Sequence, residues 1–188
     1  MRKIILASSS PRRKELLERL GFPFTVEPGD YEEDMTLSLP PVELAETLAT
    51  GKAKCVAIMH DDAIVIGADT FVEIDGTVLG KPHTAEAAVA MLQKLSGKTH
   101  QVHTGYCVID TKTGETRSGT ETAQITFREV SEREITAYVA TGEPLDKAGA
   151  YAIQGGGQAF VSSIEGDYDA IVGLPLAKIS EELRAFGA

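Results

Sequence analysis

The stretch KIILASSSPRRKELLERLG, residues 3–21, decides the fold. Residues 3–7 (KIILA) are short, apolar and rich in Ile and Leu, as a buried strand would be. Ser8-Ser9-Ser10 follows, then Pro11 and the amphipathic RRKELLERL. Ser10 as N-cap, Pro11 at the first helical position and Gly21 as C-terminal stop bracket a helix of about three turns. Strand, small-residue loop and helix in immediate succession predict an α/β protein whose first loop opens on a helix N-terminus.

Outward from there, residues 43–59 read as a helix with Leu44, Leu48, Cys55, Val56 and Met59 on one stripe, and residues 63–67 (AIVIG) as a second buried strand. Asp75-Gly76 between FVEI and TVL within residues 71–79 is a hairpin signal. Residues 85–95 read as a helix. Residues 101–109 and 120–128 are alternating or β-branched stretches separated by Lys112-Thr113-Gly114, hence paired antiparallel strands. Ser131-Glu132-Arg133-Glu134 opens a capped helix to about residue 140, residues 158–164 read as a strand, and residues 174–186 as a closing helix. Strands and helices alternate early and hairpins dominate the middle, so the expected fold is mixed α/β, a mixed sheet with flanking helices. No repeat or linker divides residues 1–188, which read as a single domain.

With 188 residues, 43% of them hydrophobic and 24% charged, the chain can bury a core, which excludes disorder. A net charge of −10 argues against long nucleic acids and membrane surfaces. The charge is uneven: residues 1–20 hold six basic residues and two acidic ones, a local balance of +4. An acidic protein has kept one cationic corner. Cys55 and Cys107 lack disulfide or zinc-site spacing and read as small core hydrophobes. The N-terminal MRKIILASSSPRRK is unlike a signal peptide, and no run approaches the ~20 apolar residues of a membrane span, so the expected location is cytoplasmic.

A helix N-terminus carries unpaired N–H groups and the positive end of the helix dipole, so it attracts anions. Arg12 and Arg13 there are locally unfavourable, and a negative ligand would offset this. Three serine hydroxyls, amide N–H groups and two guanidinium forks make a cradle for a phosphate chain; the alternative is a solvated basic turn paired to nearby Glu. Gly67-Ala68-Asp69-Thr70 follows the AIVI strand, and in α/β sheets ligands sit beyond strand carboxyl ends. Asp69 there suits a metal or a general base, or else an Asx-turn. Glu32-Glu33-Asp34 adds carboxylates, although acidic runs are usually solvated. Lys52 lies on or beside the apolar stripe of its helix, next to Gly51, either snorkelling or aimed into a cleft. Lys81, in Gly80-Lys81-Pro82, follows the hairpin, which would return it towards the Asp69 end of the sheet.

Other motifs fail. Gly97-Lys98-Thr99 lacks the earlier glycine of a P-loop, that position being Leu92, and Gly155-Gly156-Gly157 lacks a strand-to-helix context. His60, His83, His100 and His103 show no metal-helix spacing, and no nucleophile triad can be assembled.

The segments ASSSPRRKELL (7–17), Gly67-Ala68-Asp69-Thr70, Gly80-Lys81-Pro82 and DKAGAYAIQG (146–155) together resemble the Maf family of nucleoside triphosphate pyrophosphatases. The resemblance runs to Gly173-Leu174-Pro175, nearly the whole chain. It implies an elongated, inosine-triphosphatase-like mixed sheet with a central cleft, and metal-dependent hydrolysis of a nucleoside triphosphate to the monophosphate and pyrophosphate. By the resemblance, Asp69 is the proton acceptor and, with Glu33, the metal site, for a divalent ion such as Mg²⁺ or Mn²⁺. Ser8, Arg12, Arg13, Lys52 and Lys81 contact the triphosphate. Leu145-Asp146-Lys147-Ala148-Gly149 and Ile153-Gln154-Gly155 are similar to the dTTP and UTP branch rather than the 7-methyl-GTP branch, and Arg13, Thr70 and Gln154 mark this choice. Ser9 departs from the Gly or Gln that is frequent there.

The chemistry is coherent. Triphosphate hydrolysis needs a neutralised polyanion and an activated water, which the cations and Asp69 with a metal would supply. Gln154 offers a donor and an acceptor to a pyrimidine edge. The resemblance further implies nucleotide-pool cleaning, a homodimer and a link to arrest of cell division. The competing reading is a nucleotide-binding regulator of septum formation, acting through a division partner, whose hydrolysis is incidental.

Overall fold

A computed structural model describes residues 2–32 and 37–188. In chain order the elements are β1 (Lys3–Leu6), α1 (Pro11–Glu18), β2 (Thr25–Val26), α2 (Pro41–Ala57), β3 (Ala63–Ile74), β4 (Thr77–Leu79), α3 (Ala85–Leu95), β5 (Thr99–Asp110), β6 (Thr116–Phe127), α4 (Glu132–Val139), β7 (Val161–Glu165), α5 (Tyr168–Val172) and α6 (Leu176–Ala185). Three 3-10 turns, Glu143–Asp146, Ala148–Ala150 and Gly156–Phe160, lie between α4 and β7. The seven strands form one mixed sheet in the order β2-β1-β3-β5-β6-β7, with β4 on β3. The expected mixed α/β architecture with flanking helices is borne out. No helix among the described residues is long and apolar enough to cross a membrane.

The chain divides into two compact units. The first comprises Met1–Asp69, Thr104–Glu121 and Asp169–Ala188. Here β1 pairs in parallel with β3, Lys3 opposite Ala63 through Leu6 opposite Ile66. Parallel strands buried on both faces read as continuous apolar runs, and Ile4, Ile5, Leu6, Ile64 and Ile66 are buried accordingly. Leu44, Leu48, Ala49, Ala53 and Val56 form the buried stripe of α2, and Leu16 and Leu17 that of α1. The second unit comprises Thr70–His103 and Thr122–Tyr168. Its core is aromatic: Phe127 and Tyr151 have ring centroids 4.8 Å apart, Phe127 and His100 5.0 Å, Tyr138 and Phe160 5.2 Å.

Local signals hold where they were strongest. Ser10 caps α1 by accepting the Arg13 N–H, but the helix, expected to run about three turns to Gly21, closes after about two at Glu18 with Arg19 as its C-cap, and Gly21 follows at φ +75°. Asp75 and Gly76, both left-handed, turn β3 into β4, while Ser131 and Glu134 form a reciprocal capping box on α4.

Several expectations need correction. The strand carrying Asp69 does not stop at Gly67 but runs to Ile74, so Asp69 lies within β3 and in no turn. The helix expected over 43–59 starts and ends earlier, as Pro41 is tolerated in a first turn and Ile58 and Met59 leave the core, 84% and 60% exposed. The strand expected over 158–164 begins only at Val161, because the Gly-rich stretch before it closes as a 3-10 turn. The helix expected over 174–186 begins at Leu176. Gly173, at φ +135°, and Pro175 break the chain there and leave the unforeseen α5 in front. Cys107 is a buried core residue as read, whereas Cys55 is only half-buried and packs against that core; both are free.

Candidate active site

In the first unit the serine loop opens on the N-terminus of α1. The Ala7 N–H donates to the Ile66 carbonyl at 2.8 Å, extending the parallel ladder to the edge of the serine loop. Ser8 is buried, and its Oγ accepts the Ser10 N–H and Arg13 Nη1, each at 3.2 Å. Arg13 Nε donates to the Gly173 carbonyl at 2.9 Å. Arg12 is half-buried and makes no hydrogen bond or ion pair among the described residues. A cation at the positive end of a helix is locally unfavourable. Further along the same helix Lys14 lies 3.7 Å from Glu18.

The turn bearing Gly173 fastens α1 at both ends. While Gly173 holds Arg13, Asp169 takes Arg19 in a two-pronged ion pair at 2.6 and 3.1 Å. The Thr104 hydroxyl in turn donates to the Ala170 carbonyl at 2.7 Å. Sequence reasoning missed both contacts because the partners lie 160 and 150 residues apart.

Asp69 is buried, and Lys52 Nζ reaches its Oδ1 at 2.5 Å, the two side chains being 8% and 16% exposed. Lys52 thus turns inward onto Asp69 rather than out to solvent. Gly29 and Tyr31 seat against α2 as well, Gly29 at Cys55 and the Tyr31 ring at Gly51. Glu33, expected to join Asp69, lies outside the described residues.

Thr70, Lys81 and Gln154 belong to the second unit. Leu79 of β4 pairs with Val72 of β3, setting the turn that leads to Lys81. That turn is tied to the 3-10 segment: Gly149 N–H donates to the Gly80 carbonyl at 3.1 Å and His83 N–H to the Leu145 carbonyl at 3.2 Å. Lys81 is exposed and makes no hydrogen bond or ion pair among the described residues. Gln154 is exposed too, presented by the buried Tyr151, Ala152 and Ile153. Behind it the Ala152 N–H donates to the Tyr138 hydroxyl at 3.0 Å, and Tyr151 OH meets His100 Nε2 at 2.8 Å. Among the described residues no three His, Cys, Asp or Glu side chains gather into a metal site.

A serine loop opening on a basic helix and a buried lysine–aspartate pair mark the first unit of this α/β protein. The chain belongs to the Maf-like protein family, whose model matches residues 3–186. It is 51% identical over 187 residues to a dTTP/UTP pyrophosphatase of Moorella thermoacetica, covering 100% of this chain and 96% of that protein. Proteins of the same name from Pelotomaculum thermopropionicum, 47% identical with 100% and 98% covered, and Bacillus cytotoxicus, 49% identical with 99% and 96% covered, are similarly close. In fold the chain is similar to the Ham1 proteins of Staphylococcus aureus (TM-score 0.57, 16% identity, 97% of this chain and 98% of that one) and Coxiella burnetii (TM-score 0.51, 14% identity, 98% and 100%).

Proposed function

We propose that this chain hydrolyses dTTP and UTP to the nucleoside monophosphate and pyrophosphate, acting on the cytoplasmic nucleotide pool. The observation that carries the reading is the buried Asp69 carboxylate held by Lys52, in a chain 51% identical over its length to a dTTP/UTP pyrophosphatase. Asp69 accepts the proton of the water that attacks the phosphorus nearest the nucleoside. Lys52 keeps that carboxylate in place and, with Arg12, Arg13, Ser8 and Lys81, neutralises the triphosphate as charge moves onto the leaving pyrophosphate. Thr70, Gln154 and Arg13 select the base, Gln154 offering its amide to the edge of a pyrimidine.

The Asp69 carboxylate is a hard oxygen donor, which fits Mg²⁺ or Mn²⁺, ions commonly held by one or two carboxylates together with substrate phosphates. Asp69 and Glu33 would hold such an ion, and when bound it supplies charge neutralisation and a more acidic water. Homodimerisation and a division partner belong to the same proposal.

Incubation with dTTP, UTP, CTP, GTP and ATP plus Mg²⁺ or Mn²⁺ tests the reading. Pyrophosphate is expected from dTTP and UTP. Release of orthophosphate instead would overturn the cleavage position, and no pyrophosphate from any of them would favour the nucleotide-binding regulator.

A further inference from the structure

The Lys52–Asp69 contact depends on how closely α2 lies against β3, and Gly67 lies where the two meet. Gly67 stands two residues before Asp69 on β3. A Cβ at Gly67 would meet the Ala49 carbonyl oxygen at 2.4 Å, the Ala53 backbone nitrogen at 2.7 Å and the Ala53 Cβ at 2.9 Å. The first two atoms are the acceptor and donor of one i to i−4 helical hydrogen bond. Gly67 is thus pressed on the backbone of the single α2 turn that carries Lys52. Ala49, Ala53, Gly67 and Ala68 are all buried, so no solvent gap takes up an added atom.

A second glycine presses on the same helix. At Gly105 on β5 a Cβ would meet the Ala45 carbonyl at 2.0 Å and the Glu46 nitrogen at 2.7 Å. The closer contact there lies seven residues, about two helical turns, before Lys52. The two glycines therefore separate two effects: seating α2 on the sheet, which both perform, and setting the reach of Lys52, which the contact at Gly67 performs.

We propose that Gly67 is a positioning residue for the reaction, setting the distance at which Lys52 holds the Asp69 carboxylate. Relieving the contact from 2.4 Å to the 3.4 Å of ordinary packing moves the Lys52 turn outward by about 1 Å, and displacements of that size at a catalytic group cost on the order of 100-fold in rate. The catalytic consequence rests on the proposed function; the geometric one does not.

The test compares additivity. In the otherwise unaltered protein, Lys52→Met is expected to lower kcat/KM for dTTP about 100-fold. In a Gly67→Ala background, itself down about 100-fold, Lys52→Met is expected to cost less than about 3-fold, since the contact is already broken. Lys52→Arg, with its longer reach, is expected to restore about 10-fold of the activity lost in Gly67→Ala. Gly105→Ala is expected to lower the melting temperature at least as much, yet to leave the Lys52→Met effect at about 100-fold. The proposal is overturned if Lys52→Met costs the same in Gly67→Ala as without it, or if Gly105→Ala abolishes the dependence equally.

A thermal double-mutant cycle on Lys52→Met and Asp69→Asn gives a readout independent of activity. Melting temperatures are expected to be non-additive in the unaltered background and additive in Gly67→Ala. Should Asp69→Asn turn over dTTP at the unaltered rate, the functional reading fails, while this cycle still decides the positioning. Ala53→Ser adds one atom to the same contact from the helix side and replaces Gly67→Ala if that variant does not fold.

Discussion

The two units differ in how they bury their carboxylates and imidazoles, although the first also holds Cys107 and Tyr106 buried and neutral. In the first, charges go inside as pairs: Lys52 on Asp69, and Arg2 on Asp110 through two bonds of 2.6 Å. The Arg2 hydrogen bonds hold the Asp110 carboxyl well below the usual carboxylate range, with the Lys112 and Thr113 backbone N–H groups adding to the effect. In the second, ionisable groups go inside neutral. His100 and His103 are each 2% exposed, and His100 Nδ1 and His103 Nε2 have no hydrogen-bond partner among the described residues. Burial alone pushes the His100 imidazole down to about 4, and burial lowers His103 against a small opposing pull from Glu73. A paired charge keeps its reactivity and is held in place, which suits a base. A neutral ring packed among Phe127 and Tyr151 gives up protonation for rigidity, which suits a platform behind Gln154.

The largest effect expected from breaking this contrast is at the paired charge. Asp69→Asn is expected to reduce pyrophosphate release at least about 1000-fold while dTTP still binds, as read by stopped-time pyrophosphate assay and calorimetric titration. Unchanged turnover would remove Asp69 from the mechanism.

Next comes the acid response of the second unit. The unfolded chain takes up a proton on His100 near 6.5, whereas the folded ring stays neutral down to about 4. The stability contribution is therefore complete above 6.5 and is lost as pH falls towards 4. Its size is on the order of 3 kcal/mol, from 1.36 kcal/mol per unit of pKa. Urea midpoints measured across that window should fall steadily, and less steeply in His100→Phe. An equal slope in that variant would place the acid sensitivity elsewhere.

Smaller is the effect at the exposed end of the same platform. Gln154→Ala is expected to lower kcat/KM for UTP about 10-fold without lowering that for CTP, and to leave the melting temperature unchanged because the side chain is exposed. Equal losses for both nucleotides would mean that Gln154 does not read the base. The smallest is Ser131→Ala, which removes the α4 cap and should cost about 1 kcal/mol with no change in substrate ratios.

Much of the fold was legible because its signals are local. Ser10-Pro11, Asp75-Gly76 and Ser131 with Glu134 each satisfy backbone groups within four residues, so the neighbours suffice to read them. What was missed had no such signal. β2 is two residues long, α5 five, and the Gly156–Phe160 turn follows no periodicity. The site divides in the same way. The serine loop and its arginines, and the apolar strand bearing Asp69, could be picked out by residue type. That Asp69 lies inside β3 could not, since a strand buried on both faces continues or stops for reasons of pairing rather than composition.

By itself, then, the sequence determined the family, the cationic start of α1 and the residues that could carry charge. Only the tertiary structure decided which charges meet. It pairs Lys52 with Asp69 and Arg19 with Asp169, and it places Arg13 on the Gly173 carbonyl. The reason is physical: capping and turn formation depend on a few adjacent residues, whereas the meeting of two distant charges depends on how closely a helix such as α2 can pack on a strand at Gly67.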